Sequence, residues 1–496
     1  MWPGILDSRP HASSRRAALW SDGALVITRA DLVVLGAGPA GVAAAFRAAS
    51  AGHRVVVLER APVPGGLAGS FEVGGIRVDH GSHRLHPSID PAILATLRQL
   101  LGGELEVRPR RGRIRLADRW IAFPLRAGDL ARRLPPGFAA AALLDTAARP
   151  LRRAREGAQP PGGDPGSTFA DVLRAGLGPT MCQRFYFPYA RKIWGVEPSE
   201  LSGEQARRRV SANSPARLLR RVLRGAQDGR STFLYPRGGF GRISEALASA
   251  AAAAGAELRY GETVSEVALR DDGVRVTTAS GAAVEASQAW STLPATVLAR
   301  LARGAPDPVL AAADRLEFRA MLLVYLLLEV DQYTPFDAHY LPEPPTPITR
   351  VSEPKNYRSG GDPRGRTVLC AEIPCAQTSE LWRGGDEALG QVVADGLAAA
   401  GLPEARPRQV VVRRIPHAYP IYRAGYEPAL SALDQWVDAH PRLLALGRQG
   451  LFAHVNTHHA LAMAWAAADA LGRGGTLHQA AWAAAKAEFA EYVVED

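Results

Sequence analysis

The chain has 496 residues, of which 47% are apolar, 22% charged and 7% aromatic, a balance that excludes disordered and fibrous classes. At roughly 150 residues per domain, this length divides into several lobes with a large buried core. The net charge is +10, from 59 Lys and Arg against 49 Asp and Glu, but no aromatic-interleaved basic stripe or zinc-finger spacing points to nucleic acid.

In chain order, residues 1–30 carry Arg15, Arg16 and several serines with no apolar stretch ahead of the first strand. They read as a leader outside the fold and not as a secretory signal. Structure is expected to begin at Asp31. The run Leu32-Val33-Val34-Leu35 is uninterruptedly apolar, as a strand buried on both faces requires. Glycines follow, then an alanine-rich helix through Ala51, then the strand Val55-Val56-Val57-Leu58 ending at Glu59. From 125 to 225 the chain is rich in Arg, Ala and Leu at helical spacing, broken by a Pro/Gly loop from Gly157 to Gly166. Strand signals return from Ser231, with a helix near Glu245 to Ala254 and strands at Glu257 to Tyr260, Asp272 to Thr278 and Met321 to Val330. A Pro-rich loop spans Pro342 to Pro347, and a last helix runs from about His458 to Leu471 after the Gly447 to Gly450 turn.

No apolar run reaches the roughly 20 residues of a membrane-spanning helix; Phe138 to Ala148 is short and interrupted by Asp145. Cys182, Cys370 and Cys375 make neither a disulfide framework nor a paired zinc spacing, so a reduced, cytoplasmic setting is expected. His80, His83 and His86 recur every third residue, but Gly81 and Pro87 argue against the helix that would align them, and no metal site is read from them.

The segment Gly36-Ala37-Gly38-Pro39-Ala40-Gly41 lies between strand and helix. Gly36 suits the tight turn, Gly38 lets a diphosphate approach the backbone, and Gly41 lets helix and strand pack closely. The diphosphate would sit at the helix N-terminus, where unpaired N–H groups favour negative charge, and Glu59 would accept hydrogen bonds from a ribose diol. A nicotinamide and a flavin enzyme share that unit. The second glycine turn, Pro64-Gly65-Gly66-Leu67-Ala68-Gly69, immediately after Glu59 and Arg60, is what separates them.

Here the sequence resembles the flavoprotein superfamily of amine oxidases, protoporphyrinogen oxidases, phytoene desaturases and UDP-galactopyranose mutases, which implies FAD. The likeness extends through Tyr235 to Gly241, through Gly261, Thr263 and Val264 at the adenine end, and through Gly447-Arg448-Gln449-Gly450 with Asn456 to Met463, which is similar to the closing flavin motif. There a helix N-terminus faces the pyrimidine edge, and His458 is a further flavin-facing candidate. The segment Phe187 to Gly195, with Lys192 and Trp194, and the segment Thr349 to Lys355 resemble those of UDP-galactopyranose mutases and related oxidoreductases. In the mutases the arginine matching Arg350 contacts the substrate diphosphate. The resemblance also sets His83, in Gly81 to His86, beside the flavin, and gives Lys355 the role of an amine oxidase's flavin-facing lysine by analogy. Two of the chain's three lysines, Lys192, Lys355 and Lys486, lie in these segments, where a compact ammonium of adjustable pKa differs from arginine. Two places depart from the mutases: Ala212 or Asn213 stands where they carry a second substrate arginine, and Phe452 to Asn456 holds no tyrosine pair. Tyr419, Tyr422 and Tyr426 could supply aromatic or hydroxyl contacts instead.

The expected fold is α/β. A discontinuous Rossmann-type FAD domain takes 31–105, 232–300 and 405–475, a mixed helix and antiparallel-sheet substrate domain takes 106–231 and 301–404, and 476–496 forms a C-terminal helix or tail. The expected activity is FAD-dependent hydride removal from a substrate C–H bond to flavin N5; an anionic small molecule such as a sugar nucleotide fits Arg350 and the substrate-side resemblance, with amines and isoprenoids left open. The alternative is a redox-neutral mutase using reduced flavin N5 as nucleophile. Lys355, Arg350 and His83 are the catalytic candidates, and Arg350, Lys192 and Trp194 the substrate contacts. The basic balance also suits peripheral contact with an acidic membrane surface.

Overall fold

The computed structural model describes residues 27–123, 129, 132–148, 166–209 and 232–495. The expected leader up to residue 26, most of the Gly157 to Gly166 loop, and Ala212 and Asn213 lie outside the described residues.

The first apolar run forms strand β1 (Ile27–Leu35), followed by helix α1 (Pro39–Ser50) and strand β2 (Val55–Glu59). β1 begins at Ile27, ahead of the expected Asp31, because Ile27 to Ala30 pair in register with Ala283 to Ala286. Thr28 and Arg29 interrupt the apolar pattern there, so backbone pairing alone extends the strand. Ala283–Ser291, β1, β2 and Glu257–Tyr260 lie parallel in that order, Leu443–Ala445 pairs parallel with Ala283–Ser291, and two antiparallel strands extend the sheet. The two-residue side-chain period divides each strand between two cores. Leu32 and Val34 face α1 and the Arg242–Ala253 and Thr457–Asp469 helices, whereas Val33 and Leu35 face Ala295–Leu301, Asp307–Arg315 and Glu427–Asp438. The C-terminal helix Gln479–Phe489 adds Trp482 and Phe489 to the first of these cores.

A second sheet orders the strands Pro407–Ile421, Glu317–Leu328, Thr367–Cys375, Arg350–Ser352, Ala338–Tyr340, Gly112–Leu116 and Arg119–Phe123. All adjacent pairs are antiparallel except Ala338–Tyr340 with Gly112–Leu116. One face packs on the Asp386–Ala399 helix; the other packs on the Ser70–Val73 and Ile76–Asp79 hairpin, which joins the two sheets. Pro407–Ile421 therefore belongs to the second sheet, and the last stretch of the dinucleotide lobe begins after it, later than the expected residue 405. A long edge strand without regular polar–apolar alternation gives no sign in sequence of which sheet it joins. The helices Phe169–Leu177, Phe187–Trp194 and Gly203–Arg209 share a small core beside that strand's end. Among the described residues no helix is long and apolar enough to cross a membrane.

Candidate active site

The parallel strands end together at Leu35, Glu59, Ser291 and Ala445, the edge at which open α/β sheets bind ligands. Gly36 has φ +99°, and a Cβ there would lie 2.4 Å from Thr292 Oγ1. A Cβ on Gly41 would fall 1.9 Å from the Gly36 carbonyl oxygen, so both glycines are required by the protein itself. Gly38 is different. Its backbone is extended (φ −69°, ψ 176°), which any residue adopts, and the nearest atom to a Cβ there is Gly66 Cα at 3.9 Å. Neither conformation nor packing demands glycine at 38, so the open space in front of it is what a side chain would fill. The helix behind it starts with Pro39 and has no side-chain cap, leaving its N-terminal N–H groups for an anion.

Glu59 closes this cradle, accepting from Ala37 N–H at 2.7 Å and from Ala61 N–H at 2.8 Å. Each carboxylate oxygen retains a lone pair for a ribose hydroxyl. Arg60 beside it is exposed. The Gly261 and Glu262 N–H groups bond to Ala61 O and Glu59 O, which brings the turn ahead of Val264 against the same end. Gly65 N–H bonds to Ala37 O, and a Cβ on Gly66 would lie 3.1 Å from Gly38 Cα, so the two glycine turns face each other. Gly447, with φ +76°, brings the third segment to the α1 N-terminus, where its Cβ would lie 3.0 Å from Ala40 Cβ.

From Gly66 the contacts continue through His80, whose Nδ1 meets Gly66 O at 3.0 Å, into the Gly81 to Arg84 loop. Asp79 anchors that loop by accepting from Ser70 Oγ, Tyr235 Oη and Phe240 N–H. His83 stacks on Phe240 at 5.2 Å, and burial holds its pKa below the ordinary imidazole value, so the ring is neutral at pH 7. Arg350 meets the loop at the Ser82 carbonyl, 3.3 Å from Nη2, but its charge is paired with Glu372 at 2.7 and 2.9 Å. Glu372 also accepts Ser82 N–H at 2.9 Å. The pair thus fixes the loop from both sides, and Arg350 presents no unbalanced charge.

Unbalanced charge lies further along. The Arg448 guanidinium sits 5.1 Å from the Tyr419 ring centre and that of Arg209 5.2 Å from the same ring, with Arg209 also 5.9 Å from Trp194. Arg448 donates through Nη1 to Val455 O at 3.2 Å, while its buried Nε and Nη2 have no partner. Burial, with Arg209 adding to it, lowers the Arg448 pKa to about 10. Neither cation meets a carboxylate among the described residues. Burial pushes the Tyr189 hydroxyl pKa up, opposed by the Arg350 and Arg209 cations, and the Arg350 guanidinium lies 5.9 Å from the Tyr340 ring centre. The contacts form an open ring: one arc runs from α1 through Gly66, His80 and Ser82 to Arg350, and the other from α1 through Gly447 and Arg448 to Tyr419.

Residues 39–471 match the flavin containing amine oxidoreductase family. The chain belongs to that family. Its members bind FAD, and the vacant approach to Gly38, the uncapped α1 and the oriented Glu59 fit that cofactor. The chain is 42% identical to phytoene dehydrogenase of Streptomyces griseus over 92 residues, 18% of this chain and 17% of that one. It spans less than two thirds of the curated relatives it matches. Reduced UDP-galactopyranose mutase superposes with a TM-score of 0.75 at 22% identity, covering 89% of this chain and 93% of that one. Putrescine oxidase bound to putrescine superposes with a TM-score of 0.61 at 16% identity, covering 89% and 99%.

In this family fold the structure brings together Gly36, Gly38, Gly41, Glu59, Gly65, Gly66, Gly447, Arg448, His83 and Arg350. It does not bring the lysines there. Lys355 Nζ donates to Asp331, to its carbonyl and to the carbonyls of Pro363 and Arg366, holding a loop in place of facing the ring of contacts. Lys192 Nζ donates to the carbonyls of Leu341, Glu343 and Ile348, clasping the Pro-rich loop. The His458 ring turns toward Ser88 and Glu495. Trp194 is buried behind Arg209. Of the three tyrosines, Tyr422 and Tyr426 stack together at 4.4 Å within the core, and only Tyr419 meets the arginines. Sequence reading passed over Glu372 and Arg209. The first was visible as the one acid in the apolar strand Thr367–Cys375, the second only as the end of an arginine triplet.

Proposed function

We propose that this enzyme oxidises a C–H bond of a small anionic molecule. The observation that carries the reading is the Arg209–Tyr419–Arg448 stack, two cations on one ring, with buried unpartnered N–H groups on Arg448 and no carboxylate partner among the described residues. Such a pair repels an ammonium and is satisfied by phosphate or carboxylate oxygens. Bound FAD, held by Gly38, Gly66, Glu59 and Gly447, supplies the hydride acceptor. Arg448 and Arg209 bind the anionic end of the substrate, Tyr419 keeps their guanidinium planes in place, and the Arg350–Glu372 pair fixes the Ser82 backbone. Neutral His83 and the surrounding tyrosines exclude water from the reacting carbon.

The experiment is the visible flavin spectrum of the purified enzyme, oxidised and then reduced anaerobically, titrated with UDP, UDP-sugars, phosphorylated and carboxylated alcohols, and amines. Bleaching of oxidised flavin by an anionic compound, with KM raised at least tenfold in Arg448→Met and flavin still bound, is the expected result. Bleaching by amines alone overturns the anionic reading. A response to UDP-sugars confined to the reduced enzyme, with turnover and no net electron transfer, replaces oxidation by the redox-neutral mutase reaction.

A further inference from the structure

His86, His458 and Glu495 come from three distant parts of the chain and place one ligand-capable atom each within 4.8 Å of one another. Glu495 Oε2 lies 3.2 Å from His86 Nδ1 and 3.3 Å from His458 Nε2. Ligands at about 2.0–2.1 Å from a tetrahedral zinc ion are separated by about 3.3 Å, the spacing of Glu495 Oε2 from each histidine nitrogen. Ser88 Oγ lies among the three atoms, 2.7 Å from His86 Nδ1 and 3.3 Å from His458 Nε2, and donates to Glu495, so an ion entering there would displace these hydrogen bonds. Ser88 N–H donates to His86 Nδ1 at 3.1 Å, a hydrogen bond that an ion on the same lone pair would replace.

We propose that His86, His458 and Glu495 form a structural Zn²⁺ site that fastens the C-terminal tail to the start of the Thr457–Asp469 helix, with Ser88 or water as fourth ligand. The tail is already presented for this. Glu495 N–H donates to Asn456 Oδ1 at 2.9 Å, Asn456 Nδ2 donates back to Glu495 O at 2.9 Å, and Val494 N–H bonds to Arg208 O. The reciprocal clamp fixes the Glu495 backbone before any ion arrives, which lowers the ordering cost of ligation. The His458 side chain is 5% exposed and that of His86 17%, whereas Glu495 at 41% leaves a path of entry from solvent. Two imidazoles and one carboxylate suit zinc better than the hard ions that prefer all-oxygen shells.

The test uses the FAD-loaded enzyme without an affinity tag, chelator-treated and then titrated with Zn²⁺ alone. One equivalent per chain is expected, with a higher melting temperature and visible d–d bands of tetrahedral type when Co²⁺ replaces zinc. Substituting outer-shell partners of metal sites weakens affinity by about 10–100-fold, so losing a ligand should cost at least that much. Glu495→Gln and His86→Gln should each lower zinc affinity about 100-fold or more while flavin absorbance per chain stays unchanged. Glu495→Gln lies in the tail and leaves the helix start intact, which keeps the test valid if His86→Gln fails to fold. Loaded enzyme that takes up no zinc at excess metal, or variants that bind it as tightly as the parent, overturns the site.

Discussion

Gly38 and Gly41 lie three residues apart in one turn, yet they are glycine for opposite reasons. A methyl at 41 meets a backbone oxygen at 1.9 Å; a methyl at 38 meets nothing closer than 3.9 Å. Gly41→Ala should therefore destabilise the apoprotein by about 3 kcal/mol or more, since backbone must move. Gly38→Ala should leave apoprotein stability within about 1 kcal/mol, the usual range for a helix N-cap change, and lower FAD affinity at least tenfold. Denaturant melts of the flavin-free variants and FAD titration separate the two effects; a Gly38→Ala protein that holds FAD like the parent would remove the dinucleotide cradle from this turn. These glycines were legible in the sequence because the backbone geometry of a phosphate turn admits few residue types. Glu372 was not, because a buried acid in an apolar strand gains its meaning only from Arg350 and Ser82, which tertiary folding brings to it.

At the scale of elements, the Pro-rich loop between Leu341 and Ile348 is held by one ammonium, Lys192, reaching from the Phe187–Trp194 helix to three of its carbonyls. Burial lowers the Lys192 pKa to about 7, and nearby Glu343 only partly restores it. An unfolded lysine titrates near 10.4. Between about pH 7 and 10.4 the unfolded chain therefore binds more protons than the folded one, and this group's contribution makes stability rise with pH across that window. With only three lysines in the chain, isotope-labelled lysine NMR resolves the titration directly. A midpoint near 7 for one lysine, absent in Lys192→Met, is expected; titration of all three near 10.4 would show that the clasp is solvated. The resemblance picked out the segment carrying Lys192, and the chain's arginine bias set the lysine apart, but neither told that its partners would be carbonyls. Donor–acceptor pairing across 149 to 156 residues leaves no trace in local pattern.

Across the whole molecule, the cofactor cradle is assembled from segments near residues 36–66, 261–264 and 447, each entering from a different part of the first sheet. The parallel-sheet lobe was readable from its apolar runs, whereas the allocation of Pro407–Ile421 to the second sheet depended on pairing with Glu317–Leu328 and had no local signature. Because no one segment forms the cradle alone, FAD acts as a cross-link between distant stretches, and the unfolded chain has no site for it. Mass action then requires stabilisation of about 2.7 kcal/mol at a hundredfold excess of FAD over Kd, and about 4.1 kcal/mol at a thousandfold. The melting temperature of deflavinated enzyme should rise steadily with the logarithm of added FAD. Tryptophan emission and release of flavin fluorescence should report the same transition, since Trp290 is buried in the core against α1 and Gly447 touches that helix's start. Flavin released well below the tryptophan transition, with a melting temperature indifferent to FAD, would mean that the segments are held together by protein contacts alone.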